Sequence, residues 1–392
     1  MATVTEIAAR IVHKLGREGP RWLWRRIGRE FKAPTTHLGK RLLMLRLRMR
    51  REATNLPPLS PDTLIAFYDL QVSPVTYDVI WFVAGADMAR RKAGLEKVRF
   101  VVVPGWEEGL REEQEEYERV VDRDARRARL VDMLVPVMNL LPACAGVTLA
   151  ASRAEAARLR TIGALVYPSL YDPAFAMTYD EREILQAARA GEPIAKLESS
   201  RDARRHVKRW LETHAKGRKL VTVTLRYYDY MPMRNSNLDA WSRLAADLDP
   251  REYAVLFIPD TEQSFGSLPD ALRSRMVAFE AAWNVGLRMA FYESAYLNLG
   301  VNCGPLLLCF FNPAIRCIMF KMVTQAVPQS TKSAMRGHGF ELGGNLSFAT
   351  RFQKWVWEDD TLEVIGRETR RMLEKIAADI PDESFAIEHS PL

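Results

Sequence analysis

Short apolar runs, each halted by a polar residue or a proline and each followed by a helix-like stretch, recur along this chain. No other feature constrains its fold as strongly. The first group is Thr-Leu-Ile-Ala-Phe-Tyr-Asp at 63–69, Val-Arg-Phe-Val-Val-Val at 98–103, and two shorter runs at 147–150 and 164–167. Near-continuous apolar runs suit strands buried on both faces, as in parallel sheets. Helices are expected between them: 76–92, with Thr76 as cap and Gly94 as stop, then 111–128, then one opened by the capping box Ser152-x-x-Glu155. The pattern restarts after a link at 192–198, with runs at 220–225, 254–258, 297–301 and 316–320 and helices at 200–214, 238–248 and 285–295. Strands alternating with helices form a parallel sheet covered by helices on both faces. Two such groups predict two α/β domains, at 56–195 and 196–345. A terminal segment, 346–392, is expected to carry its helix back onto the first domain.

The charge is unevenly placed. The 392 residues carry 56 Lys+Arg against 49 Asp+Glu, a net +7. Residues 1–52 alone hold 14 basic and four acidic residues, a local +10, so the remaining 340 are slightly acidic at −3. Within this basic head, Leu38, Leu42, Leu45 and Met49 recur at helical spacing with Arg41 and Arg48 on one flank. Trp24, Ile27 and Phe31 form a second stripe, with Trp22, Arg25 and Arg26 beside it. Residues 1–55 are therefore expected to be a basic, amphipathic helical extension. Tryptophan among arginines suits the headgroup layer of an anionic membrane. A helical hairpin packed on the body and a nucleic-acid contact are the alternatives, the latter less favoured. No uninterrupted apolar run of signal-peptide type is present, so the expected location is cytoplasmic, peripheral to the inner face of a membrane.

Residues 130–151 are mostly apolar and long enough to span a bilayer, but they contain Asp132, Asn139, Pro136 and Pro142. A buried core segment fits them better. The four cysteines, at 144, 303, 309 and 317, form no Cys-x-x-Cys pair, which argues against a zinc site and a disulfide scaffold. No metal is expected.

Open parallel sheets bind ligands beyond the carboxyl ends of their strands. In the second group those ends carry Arg226, suited to a diphosphate, Asp260, suited to sugar hydroxyls, and Lys321. They also carry Asn302-Cys-Gly304-Pro305, read as a turn opening a helix with its N–H groups free for phosphate. The Gly- and polar-rich segment 330–345, with Lys332, Arg336 and His338, is expected to close over the same ligand. In the first group Asp69 ends its strand and is the candidate general base. No Walker A, GxGxxG or GxSxG string exists.

Val223-Thr-Leu-Arg226, the strand end at Asp260, and Glu293-Ser-Ala-Tyr-Leu-Asn-Leu-Gly-Val-Asn-Cys-Gly-Pro305 resemble the donor half of bacterial fucosyltransferase-like and heptosyltransferase-like enzymes of the GT-B fold. The resemblance is architectural and covers roughly 60–380. It implies two Rossmann-like domains facing each other, with the donor diphosphate held at Arg226 and no cofactor beyond a nucleotide-diphosphate sugar as co-substrate. The His-x-Arg-Arg string of the fucosyl enzymes is missing, as Thr224 and Leu225 precede Arg226. The pair of glutamates eight apart found in many retaining enzymes is also missing, since Val301 follows Glu293 at that offset, and this leans toward inversion. The implied function is transfer of a sugar to a saccharide or lipid-linked acceptor in cell-surface polysaccharide synthesis. A nucleotide-sugar epimerase and a non-catalytic nucleotide- or anionic-surface-binding protein are the alternatives.

Overall fold

The computed structural model describes residues 62–106, 108–162, 165–261, 269–324, 327 and 330–379. The expectations for the basic head, including Trp22, Trp24, Arg25, Arg26, Arg41 and Arg48, lie outside the described residues.

The chain divides into two compact units, both α/β. The first takes in the described residues up to Pro74 together with Ala89–Glu112 and Ala145–Tyr179. Its four-stranded sheet has the order β3-β2-β1-β4, with β1 Thr63–Asp69, β2 Lys97–Val103, β3 Cys144–Leu149 and β4 Val166–Tyr167. β1 pairs in parallel with both β2 and β4. Every residue of β1 is buried, because its two faces are both covered. On one face Ile65 and Phe67 pack with Val101, Val103, Ala156 and Tyr171. The Phe67 and Tyr171 rings stack at 4.7 Å.

The second unit comprises Val75–Met88, Glu113–Cys144 and the described residues from Asp180 onward. Its sheet has six strands in the order β10-β9-β8-β5-β6-β7. These are β5 Lys219–Thr224, β6 Tyr253–Ile258, β7 Met276–Val277, β8 Leu297–Val301, β9 Cys317–Phe320 and β10 Gln353–Trp355. All five pairings run parallel: β5 with β6 and β8, β6 with β7, and β9 with β8 and β10. Trp241, fully buried on the helix Leu238–Asp247, packs against Phe320 at 5.5 Å. Its indole N–H donates to Asp360 at 2.9 Å.

Two expectations change. The helix Leu362–Asp379 does not return to the first unit: Val364, Ile365, Met372 and Ile376 join the core of the second, among Val221, Leu299 and Trp241. Its apolar stripe finds that core because the helix follows directly from β10. The division also differs from a cut at 195/196, since Val75–Met88 and Glu113–Cys144 belong with the later residues. Residues 130–151 hold a π-helical turn Leu130–Leu134, a short helix Val135–Asn139 and β3. Pro136, which can donate no backbone hydrogen bond, lies where the helix resumes after that wide turn. Among the described residues no helix is long and apolar enough to cross a membrane.

Candidate functional site

In the six-stranded sheet the chain runs from β5 to β6 and β7 on one side, then returns to β8, β9 and β10 on the other. β5 and β8 are therefore neighbours whose outgoing connections diverge, and the crevice beyond their carboxyl ends is a topological switch point.

Three guanidinium groups gather there. Arg226, directly after β5, is buried and spends its donors on its own loop. It donates to the Met231 carbonyl at 3.1 Å, to the Tyr230 carbonyl, and to the Asn235 side chain, while its backbone N–H donates to Ser236 Oγ at 2.9 Å. Residues 227–236 are thereby wrapped around one cation, with Met231 at a left-handed φ of 54°. Burial, and then the positive charge of Arg234, push the Arg226 guanidinium down to about 10.

Arg234 crosses from the same loop to donate to the Asn302 carbonyl beyond β8, at 3.1 Å. No carboxylate forms an ion pair with it among the described residues, and burial pulls its guanidinium below the usual range. Arg288, only 2 % exposed on the helix Val285–Ser294, donates to the Ala281 carbonyl at 2.8 Å and to Tyr292 Oη at 3.3 Å. Burial works against its charge, yet the electrostatic pull of Tyr292 and Tyr77 keeps it above its ordinary value. Asp260, after β6, is the acid of the group. Burial raises its carboxyl, against the pull of Arg288 and Arg226, and one oxygen accepts from the Thr261 N–H at 2.8 Å.

Beside this cluster a cavity of about 490 Å³ opens between the segment 116–120 and the loop held by Arg226. Tyr230, Met231 and Met233 wall it, with Glu116, Arg119 and Asp229 among its polar lining. Tyr230 meets Tyr117 edge-on at 5.0 Å. Its phenol is raised chiefly by burial, then by Glu113 and Glu116, and is lowered by Arg234 and Arg226. One ring thus lies in the electrostatic field of both the cavity and the cluster. Neither the Glu116 nor the Asp229 carboxylate has a hydrogen-bond or ion-pair partner among the described residues.

No protein-family model matches the chain, and no curated protein matches it by sequence. Solved structures with a similar chain path include a family 9 glycosyl transferase from Veillonella parvula, at 9 % identity and a TM-score of 0.48, covering 81 % of this chain and 98 % of that one. E. coli ADP-heptose LPS heptosyltransferase II is similar at 10 % identity, 86 % and 80 % coverage and a TM-score of 0.34. E. coli heptosyltransferase WaaC with ADP is similar at 11 %, 81 % and 99 %, with a TM-score of 0.40. At such identities no side chain here can be equated with one of theirs.

The structure gathers Arg226, Asp260 and Asn302, and gives the other expected residues different surroundings from those read in the sequence. Gly304 and Pro305 open a seven-residue 3-10 turn, Pro305–Phe311, whose side chains are mostly buried, so no α-helix presents its N–H groups to a phosphate. Gly304 instead meets Tyr77: a Cβ there would lie 2.7 Å from the Tyr77 Cβ. Lys321 is committed to Asp359 at 2.9 Å, Asp360 at 3.3 Å and the Asn235 carbonyl at 3.2 Å, so it braces the turn after β9. Lys332 and Arg336 are exposed on the short helix Lys332–Gly337 and make no recorded contact with the cluster. His338 Nδ1 pairs with Glu181 Oε1 at 2.6 Å.

Asp69 also departs from its expected role. It is fully buried, with Arg153 on both oxygens at 2.9 and 2.7 Å, Tyr171 Oη at 2.6 Å and the Gln71 N–H at 3.0 Å. A carboxylate so occupied has no oxygen left for an incoming hydroxyl; it anchors β1 to residues 153 and 171.

Sequence reasoning missed Arg234, Arg288 and Tyr77. The signal for Arg234 was available: ten residues rich in tyrosine and methionine separate Arg226 from Asn237, too long for a bare β-to-α turn. Arg288 lies on a helix and Tyr77 in the turn before the helix Val79–Lys92, and no local pattern sets them apart.

Proposed function

We propose that the protein transfers a sugar from a nucleotide-diphosphate donor to a saccharide or lipid-linked acceptor, with inversion. The observation that carries this reading is the trio Arg226, Arg234 and Arg288, with Asp260 as the near acid, at the switch point of a parallel sheet. Buried cations short of counter-charge are costly, and a diphosphate supplies that charge in a form a guanidinium grips with two parallel hydrogen bonds. Arg234, with most of its donors uncommitted, would hold the diphosphate; Arg226 would keep the loop in shape around it. Asp260 would accept from a hydroxyl of the nucleotide. As the diphosphate leaves, the same guanidinium would stabilise the growing negative charge.

The cavity beside Tyr230 would seat the acceptor, its carbon–hydrogen face against the tyrosine and methionines. Asp229 or Glu116, in place of Asp69, would take the proton. In that step the acceptor oxygen forms its bond to the anomeric carbon, the bond from that carbon to the diphosphate breaks, and the hydroxyl proton passes to the carboxylate. The basic head would seat the enzyme on an anionic membrane surface, suiting a lipid-linked acceptor in cell-surface polysaccharide synthesis.

Calorimetric titration with ADP, GDP and UDP tests the donor site. Arg234→Ala is expected to weaken the best-binding nucleotide at least tenfold, with Arg234→Lys between it and the parent, since an ammonium lacks the two-pronged geometry. Equal affinity in the parent and Arg234→Ala would remove the diphosphate from this crevice.

A further inference from the structure

The second unit has another concentration of positive charge at the β10 edge of its sheet. β10 begins at Gln353, and the C-terminal half of the helix Leu362–Asp379 packs beside that start. Between them lies a cavity of about 320 Å³. Its charged lining is Arg351, Lys354, Arg371 and Lys375 against the single carboxylate of Glu368.

Glu368 is buried and already shared. Lys354 and Arg371 both pair with it, the latter at 3.2 Å, and Arg367 adds a third contact at 3.0 Å from outside the lining. Burial would raise its carboxyl, but those cations hold it below the ordinary range. Lys375 has no carboxylate partner among the described residues; it donates to the Arg351 carbonyl at 2.7 Å. The crowding extends to Phe352, whose ring is approached by Arg351 at 4.9 Å, Arg316 at 5.8 Å and Lys375 at 5.9 Å. Arg351 also pairs with Asp379. Four cations stand around one concavity, with Glu368 serving two of them and Asp379 a third, and four charges against two leave an excess of positive charge beside a space that can hold an anion.

We infer that this cavity is a second anion-binding site, taking a phosphate or diphosphate group between Arg351, Lys354, Arg371 and Lys375. Arg371 and Lys375 stand one helical turn apart on the same face, and Arg351 and Lys354 approach from the strand side, so an anion would be gripped from two elements. The phosphate belongs either to a soluble compound or to a lipid headgroup. The inference does not rest on the donor site, which lies beyond the other ends of the strands.

The test is titration of the full-length protein with pyrophosphate, followed by calorimetry and phosphorus NMR. Arg234→Ala serves as the background, so that binding at the switch point does not obscure the second site. One equivalent of pyrophosphate is expected to bind in that background, and adding Arg371→Ala and Lys375→Ala is expected to weaken it at least tenfold. Adding Arg370→Ala instead, an exposed cation outside the lining, should change affinity less than twofold. Absence of binding in the Arg234→Ala background, or equal losses with Arg370→Ala and with the Arg371/Lys375 pair, would overturn the site. Phosphatidylcholine vesicles containing phosphatidic acid, added to the pyrophosphate-loaded protein and followed by phosphorus NMR, then separate the sources independently of attachment through residues 1–52. Displacement of pyrophosphate by the vesicles assigns a lipid headgroup; pyrophosphate that stays bound assigns a soluble phosphate.

Discussion

Arg226 and Arg234 share one loop and one residue type, yet only their surroundings decide what each can do. Arg226 has its donors filled by carbonyls of residues 230 and 231 and by Asn235, whereas the Arg234 side chain makes one hydrogen bond among the described residues. The sequence marks the first, because it stands at a strand end; the second is marked only by the unusual length of the loop that carries it. Asp69 teaches the same lesson in reverse. Its position at the end of β1 was legible, but its partners Arg153 and Tyr171 lie 84 and 102 residues away, beyond the reach of any local pattern. The contrast between two aspartates follows. Asp69→Asn leaves the Arg153 guanidinium without its buried partner and should lower unfolding stability by about 3–5 kcal/mol in a denaturant titration. Asp229→Asn, at an exposed site, should leave stability within about 0.5 kcal/mol. If Asp229 is the base, that variant keeps nucleotide affinity while transfer falls at least a hundredfold. Transfer retained in both Asp229→Asn and Glu116→Gln would exclude the two as proton acceptors.

At the scale of elements, strands read well because a buried parallel strand writes itself as an apolar run. β1 and β8 match their runs residue for residue, and β2, β5, β6 and β9 match to within one residue at an end. β7 and β10, two and three residues long, carry too few side chains to show a period. The turn after β8 read wrongly for a related reason. Asn-Cys-Gly-Pro has the composition of a phosphate turn, but Gly304 is required by the approach of Tyr77, which no local spacing reveals. Gly304→Ala should therefore cost about 1–3 kcal/mol through overpacking, measurable as a lower denaturation midpoint.

The helix Lys332–Gly337 is tied by His338 to Glu181, which opens the helix Glu181–Arg189. The hydrogen bond that His338 donates to Glu181 raises the histidine above 6.5; burial opposes this. Burial raises Glu181, but the bond to His338 prevails and lowers it below 4.5. The histidine's contribution is complete below about pH 6.5 and lost as pH rises through its raised value. The carboxylate's is present above about pH 4.5 and lost as pH falls through its lowered value. The tie is thus strongest between those two limits. NMR titration of His338 should give a midpoint above 6.5 that falls back in Glu181→Gln; the same midpoint in both proteins would show the pair to be unlinked.

Across the whole molecule, charge and fold are allotted to different segments. The two α/β units account for the recurring apolar runs, and the acidic balance of −3 over residues 53–392 leaves the +10 of residues 1–52 as a separable property. A bulk positive charge would have suggested a polyanionic substrate. The two proposed anion sites instead draw on local cations: the switch-point arginines and the cavity beside β10. Long-range attraction to a charged surface scales with net charge and is screened by salt, whereas a buried guanidinium contact is much less so. A chain lacking residues 1–52 would carry a net −3 in place of +7, and the two kinds of binding should separate. Nucleotide affinity, set by Arg234, should stay within about twofold and depend weakly on salt. Sedimentation with vesicles containing phosphatidylglycerol should fall at least tenfold at low salt. In the full-length protein, raising salt from about 0.05 to 0.5 M should reproduce that loss, because the screening length shrinks to a few ångströms. Vesicle binding that survived both the deletion and the salt would mean that the membrane contact belongs to the α/β units and not to the head.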